Sequence, residues 1–322
     1  MNRKSKSIIA CLYFILAFSV ILQAQPVKKH GNLSVKGTQL TDENGKATIL
    51  NGVSFGWHNW WPRFYNKECV KWLATDWKCL VVRAAMGVEP KEAYIDQPDW
   101  SKEKIEAVIN SAIENDIYVL IDWHSHSIKL DDAKMFFAEM ASKYGEKPNV
   151  IYEIFNEPVN DSWTDVKAYS IEIIKVIRSI DPDNLILVGS PHWDQDIHLV
   201  ADDPIKGYNN IMYTCHFYAG THGKFLRDRC DYAIKKGIPI FISESAGMEA
   251  SGNGPINYKE WQNWIDWCST NKVSLISWSI ADKNETCSML NVSAAPTGNW
   301  KDVDLKESGI KTRELLRKYN AE

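Results

Sequence analysis

The sequence predicts an α/β chain folded as a (β/α)8 TIM barrel, with an N-terminal β-hairpin in front of it. Eight short apolar runs alternate with eight stretches of helical period, which is the order a closed parallel barrel requires. The region that carries them is close to the usual barrel size of about 250 residues. No Pro- or Ser-rich spacer and no low-complexity tract interrupts the rhythm, so a single domain is expected.

The hairpin comes first. Leu33 to Leu40 alternates loosely, Asp42-Glu43-Asn44-Gly45 is turn chemistry, and Ala47 to Leu50 forms the return run that should cap the bottom of the barrel. The eight strand candidates are Leu50 to Phe55, Cys79 to Ala85, Tyr118 to Trp123, Val150 to Phe155, Leu185 to Val188, Ile211 to Phe217, Pro239 to Ser243 and Val273 to Ser277. Helical periodicity marks Lys67 to Thr75, Ser101 to Asn115, Asp132 to Tyr144, Asp165 to Ile180, Asp194 to Val200, Lys224 to Lys236, Asn257 to Asn271 and Ser308 to Tyr319. The fourth run is the most informative: V-I-Y-E-I-F stops at Asn156-Glu157-Pro158, and Pro158 should end the strand with Glu157 at its lip. Glu153 shares the parity of Glu157 but is expected roughly 13 Å deeper, in a structural role.

Composition narrows the function classes. The 322 residues are 45% hydrophobic with a formal net charge of -4, so no charge excess points to nucleic acid or an anionic membrane. Arg3, Lys4 and Lys6 precede an uncharged run from Ile8 to Leu22 and then Gln23-Ala24-Gln25. That is the order of a secretory signal peptide, residues 1–24, rather than a spanning helix of about 20 residues. The mature domain, residues 25–322, is then expected in the periplasm or outside the cell, as a monomer free of the membrane. It keeps six cysteines, Cys69, Cys79, Cys215, Cys230, Cys268 and Cys287, whose pairing the sequence leaves open. They show no C-x-x-C spacing, so a zinc site built from them is not expected.

In a barrel the chemistry collects at the C-terminal ends of the strands. Those ends carry Trp60 and Trp61, Arg83, His124, Asn156 and Glu157, Trp193, His216 and Tyr218, Glu244, and Trp278 followed by Lys283-Asn284-Glu285. Glu157 and Glu244 end strands on opposite sides of the mouth, and two facing carboxyls are the minimum apparatus for cutting a glycosidic bond. Arg83 and His216 should keep one of them ionised, while the other, poorly solvated, stays protonated. The tryptophans at the rim offer flat faces for sugar rings. Asp122-x-His124-x-His126 also suits two ligands of a metal, but no further ligand has matching spacing, so neither metal nor cofactor is expected.

The motifs V-I-Y-E-I-F-N-E-P, F-I-S-E, V-V-R-A-A-M, I-D-W-H, C-H-F-Y-A-G-T-H-G and S-W-S-I-A-D-K-N-E-T resemble glycoside hydrolase family 5, in its bacterial endoglucanase (cellulase) subgroup. The resemblance runs from about Leu33 to Tyr319. It implies a secreted, retaining endo-β-1,4-glucanase acting on β-glucan, with Glu157 as proton donor and base and Glu244 as nucleophile. Arg83, His124, Asn156, His216 and Tyr218 would support them; Trp60, Trp61, Trp193, Trp278, Lys283, Asn284 and Glu285 would bind substrate. The same chemistry on β-mannan, xyloglucan or mixed-linkage glucan is the alternative, and a non-catalytic glycan-binding barrel is another. The sequence departs from the family at Ser245-Ala246 after Glu244, at Gly87 where relatives have Tyr, and at Gly56 where they have His.

Overall fold

The computed structural model describes residues 25–320; the expected signal peptide, residues 1–24, lies outside the described residues. Eight strands, β3 (Asn51–Phe55), β4 (Val81–Gly87), β5 (Tyr118–His124), β6 (Val150–Glu153), β7 (Ile186–Val188), β8 (Ile211–Tyr218), β9 (Ile240–Ala246) and β10 (Leu275–Ile280), close into a parallel barrel in sequence order, with β10 beside β3. Around them run α2 (Lys67–Thr75), α3 (Pro98–Glu114), α4 (Leu130–Tyr144), α5 (Trp163–Arg178), α8 (Lys224–Lys235), α9 (Tyr258–Asn271) and α10 (Glu307–Tyr319). Side-chain caps start several of them: Asn66 accepts from the Cys69 N–H, Ser162 from Asp165 and Asn257 from Glu260. Each satisfies a donor that the first helical turn leaves free.

Three expectations need correction. The hairpin is formed by β1 (Ser34–Lys36) and β2 (Gln39–Thr41), so the stretch Leu33 to Leu40 is two strands, not one. Gly37, at φ 61°, makes the reversal, and the turn at residues 42–45 leads only to a single bridge, Thr41 to Ala47. The expected helix Asp194 to Val200 is split into a tight turn, α6 (Pro191–Asp194), and α7 (Ile197–Asp202). Here His192, Trp193 and Asp194 all take left-handed φ, at 59°, 55° and 54°. The Asp194 carboxylate holds this turn by accepting from the Ser190 N–H at 2.6 Å and from the Thr214 hydroxyl. Finally, the ladder of β6 stops at Glu153, short of Phe155. Residues 154–157 continue beside their neighbours through single bonds, from Ile154 N to Leu187 O, Asn156 N to Trp123 O and Glu157 N to Ser125 O.

Two apolar layers hold the barrel. One fills the space between sheet and helices; the other, with Leu120, Ile151, Leu187, Met212, Phe241 and Ile276, packs against Val27, Leu33 and Leu40 and closes the bottom as expected. Burying each such side chain contributes about 1.5–3 kcal/mol. A short helix, α1 (Pro26–His30), joins that plug. All six described cysteines are buried free thiols, with Cys215 and Cys230 sulfurs 3.5 Å apart. Among the described residues no helix is long and apolar enough to cross a membrane.

Candidate active site

Strand parity sends residues two apart to the same side of a sheet, which brings Asp122 with His124 on β5 and His216 with Tyr218 on β8 toward the upper interior. Arg83 on β4 is the hub of what meets there. It is fully buried, and its guanidinium forks onto Glu153 (Nε to Oε2 2.6 Å, Nη2 to Oε1 3.3 Å). It also donates from Nη2 to Asn156 Oδ1 at 2.6 Å, lies 3.0 Å from Asp122 Oδ2, and donates from Nη1 to Glu244 Oε2 at 2.9 Å. Burial works against this cation, but the charges of Asp122, Glu153 and Glu244 outweigh it and keep the group charged. Glu153 is therefore a member of the site's charge network, not a remote structural acid.

The two rim carboxylates have different neighbours. Glu244 accepts from Arg83 on one oxygen and from the Tyr218 hydroxyl, at 2.7 Å, on the other. Glu157 faces two imidazoles, His216 Nδ1 at 2.9 Å from Oε1 and His126 Nε2 at 3.4 Å from Oε2. Burial pushes the Glu157 carboxyl up, but the hydrogen bonds and charges of His126 and His216 hold it down at about 2. Glu244 is raised by burial and by the charge of Glu157, with His216, Arg83 and Tyr218 pulling the other way. His216 is penalised by burial yet raised overall by Asp194, Glu153, Glu157 and Glu244. Its Nε2 meets Ser243 Oγ at 2.9 Å and Asp194 Oδ2 at 3.3 Å. The expectation that Arg83 and His216 serve one carboxylate is thus corrected: Arg83 holds Glu244 and His216 holds Glu157.

One oxygen of Glu157 and one of Glu244 lie within 4.8 Å of each other, with a His216 nitrogen inside the same radius. That spacing could hold an ion, but the Arg83 guanidinium already occupies the carboxylate field on the Glu244 side. His124 is buried, bonded through Nδ1 to Asp122 Oδ2 at 2.7 Å, and burial and the Arg83 charge push its pKa down, so it is a neutral ring. Asn156 spends its oxygen on Arg83, leaving its Nδ2 buried without a partner among the described residues.

The aromatic rim is more divided than expected. Trp60 and Trp193 are 52% and 41% exposed, with Trp61 edge-on to Trp60 at 5.8 Å. Trp278, only 8% exposed, stacks on His124 at 5.3 Å and lies under the Arg83 cation. Lys283 pairs with Glu285 (2.5 Å), which also meets the Cys287 thiol; Asn284 is exposed and lines a small polar hollow with Asn253 and Lys306. Sequence reasoning passed over Trp57, which packs edge-on to His124 at 4.3 Å. A Cβ on Gly87 would sit 2.7 Å from its ring, so the missing side chain at Gly87 is the space that Trp57 fills. Asp194 was passed over as well, since nothing local announces a left-handed run without glycine.

The cellulase profile, glycosyl hydrolase family 5, matches residues 41–284. This chain belongs to glycosyl hydrolase family 5. It is 43% identical over 293 residues to an endoglucanase of Clostridium saccharobutylicum, covering 89% of this chain and 65% of that one. It is 44% identical over 309 residues to endoglucanase N of Pectobacterium atrosepticum, covering 94% and 69%. The chain thus spans just under two thirds of the Clostridium relative. A solved structure from Cytophaga hutchinsonii is 44% identical, covers 92% of this chain and 98% of its own, and superposes with a TM-score of 0.91. The catalytic domain of Thermobifida fusca endoglucanase Cel5A, solved as a variant in complex with cellotetraose, is 31% identical with a TM-score of 0.86, covering 91% and 100%. The family 5 hydrolase reading and the barrel expectation both stand.

Proposed function

We propose that this family 5 glycoside hydrolase is a secreted, retaining endo-β-1,4-glucanase. The observation that carries the reading is the approach of Glu157 and Glu244 to within 4.8 Å. Retaining enzymes hold their carboxyls about 5–5.5 Å apart, whereas inverting ones need about 6.5–9.5 Å to seat a water between them. Glu244, fixed by Arg83 and Tyr218, attacks the anomeric carbon. Glu157 gives a proton to the leaving oxygen, then takes one from the water that frees the sugar from Glu244. The unpartnered Asn156 Nδ2 suits a sugar hydroxyl.

In the substrate-free site Glu157 is the more acidic of the two, and the reaction needs the reverse. A glycosidic oxygen arriving at Glu157 brings a proton acceptor and displaces water. The proton on either facing imidazole is then one hydrogen bond from the carboxylate. Two donors remain on Glu244, as an attacking anion requires. Exposed Trp60 and Trp193 offer faces for sugar rings, and Trp61, Trp278, Lys283, Asn284 and Glu285 are proposed as further substrate contacts. The same apparatus would serve β-mannan, xyloglucan or mixed-linkage glucan if the loops admit them. Product analysis by NMR on cellotetraose, a soluble glucan and a mannan tests both points: initial β-product and preference for glucan are expected. An initial α-product would overturn retention, and preference for mannan the substrate.

Export rests on residues 1–24. The expected mature enzyme begins at Gln25, and terminal sequencing of protein recovered outside the cytoplasm checks it; an uncleaved Met1 terminus would count against it.

A further inference from the structure

His126 follows β5 on a short loop, and its backbone is fastened. A single oxygen, Oε1 of Glu89 from the loop after β4, accepts from the N–H groups of His126 (3.2 Å) and Ser127 (3.1 Å) and from the hydroxyls of Ser127 (2.9 Å) and Ser125. The side chain is partly open to solvent. It is 43% exposed, touches the edge of Trp57 with ring centroids 5.4 Å apart, and makes its polar contact with Glu157 Oε2 at 3.4 Å. A charged loop-holding residue, a fixed backbone and a half-exposed imidazole on one oxygen of Glu157 are more than packing requires.

Each oxygen of Glu157 meets one imidazole, and the two differ in how readily an arriving leaving oxygen can displace them. His216 is buried and held on its far side by Ser243, whereas His126 has solvent to retreat into. Oε2, on the His126 side, is therefore the open approach for a glycosidic oxygen.

We propose that His126 is a positioning residue that holds, in the free enzyme, the proton Glu157 delivers to the leaving group, and that Glu89 keeps it in reach. The proposal rests on Glu157 acting as acid and base. On binding, the Nε2–H bond breaks, the proton passes to Glu157 Oε2, and the neutral ring withdraws. The proton then goes to the glycosidic oxygen as its bond to the anomeric carbon breaks and the ester to Glu244 forms. In the second half, Glu157 takes a proton from the attacking water, the ester breaks, and the proton returns to His126, for a net use of one water.

The ring is faced by Glu157 from the end of β6, Glu89 from the β4 loop, Glu244 from β9 and His124 on its own strand. Burial opposes its protonation, and the three glutamates raise it overall. Adding a second basic site that shares one required proton can only raise the pH at which the pair loses it. Removing His126 must therefore lower that pH.

The test is the pH profile of kcat/KM, which reports the free enzyme, on a cello-oligosaccharide whose departure needs acid help. His126→Gln is expected to move the alkaline limb down by roughly one pH unit while the acidic limb stays. The kcat profile, which reports the complex, should shift less. Glu89→Gln should move the limb in the same direction by a smaller amount. On an aryl cellobioside with an activated leaving group the His126→Gln shift should vanish. An unmoved limb, or one displaced upward because His126 only repelled a proton, overturns the proposal. These outcomes are separable from a failure of the acid/base assignment itself, which would appear as an unchanged glucan rate in Glu157→Gln.

Discussion

Glu244→Gln is expected to abolish cleavage of both a soluble glucan and an activated aryl cellobioside, while Glu157→Gln cripples only the first. The asymmetry follows from bond chemistry. Without Glu244 no covalent intermediate forms, whatever the leaving group. Without an acidic proton at residue 157 a sugar alkoxide cannot leave, at a cost of roughly 10²–10⁴ in rate, whereas an activated phenolate leaves unaided. Glutamine keeps the shape of each side chain, so Arg83 and Tyr218 still face residue 244, and His216 still faces residue 157. A loss of activity in these variants is then a loss of chemistry and not of fold, which an unchanged melting temperature checks. Equal losses on both substrates in both variants would show the two roles to be misassigned.

The parts legible in the sequence were those that a local pattern dictates. Strand and helix positions follow from apolar runs and helical period, and α2 matches residue for residue. Glu157 was legible because it closes an apolar run before a proline, and Glu244 because it interrupts one near the upper end of β9. What the sequence hid is how close inward-pointing residues of different strands come. A barrel interior is narrow, so side chains from alternate strands meet in shared layers. Arg83, Asp122, Glu153 and Glu244 come from β4, β5, β6 and β9, and no spacing along the chain records that one guanidinium serves three acids. A distance counted along one strand placed Glu153 away from the chemistry, while contact through Arg83 joins it to Glu244. The parity of Asp122 and His124 was the available hint, since an acid two residues from a histidine on one strand face is a hydrogen-bonded pair in waiting. The left-handed turn at His192 to Asp194 had no such hint. It is set by the Asp194 carboxylate, whose partners at Thr214 and His216 lie on β8.

That shared guanidinium sets the second large expectation, for Arg83→Met and Arg83→Lys. Methionine roughly matches the volume but strips the guanidinium from three buried carboxylates, leaving His216 as the nearby positive group, and breaking a buried ion pair in this one-sided way costs about 3–5 kcal/mol. Lysine keeps the charge but not the fork, so it cannot grip Glu153 with two donors and still reach Glu244 with a third. Arg83→Lys should therefore stay folded while kcat falls on the order of a hundredfold, the usual cost of losing a fixed donor at a charged reacting group. The methionine variant carries a pH signature. Its unpaired acids bind protons more tightly folded than unfolded, so its stability falls as pH rises above the ordinary carboxylate range near 4 toward their raised folded values. Asp122 and Glu244 are raised in the parent too, chiefly by burial, but its Glu153 behaves the other way, because Arg83 lowers it against that penalty. The parent loses that contribution only as pH falls below the same range. The gap between the two, measured by chemical denaturation, should be widest near neutral pH and close toward pH ~3. A gap independent of pH would mean that Arg83 acts by filling space. A fully active Arg83→Lys would mean that charge alone, without the geometry of the fork, holds Glu244 in place.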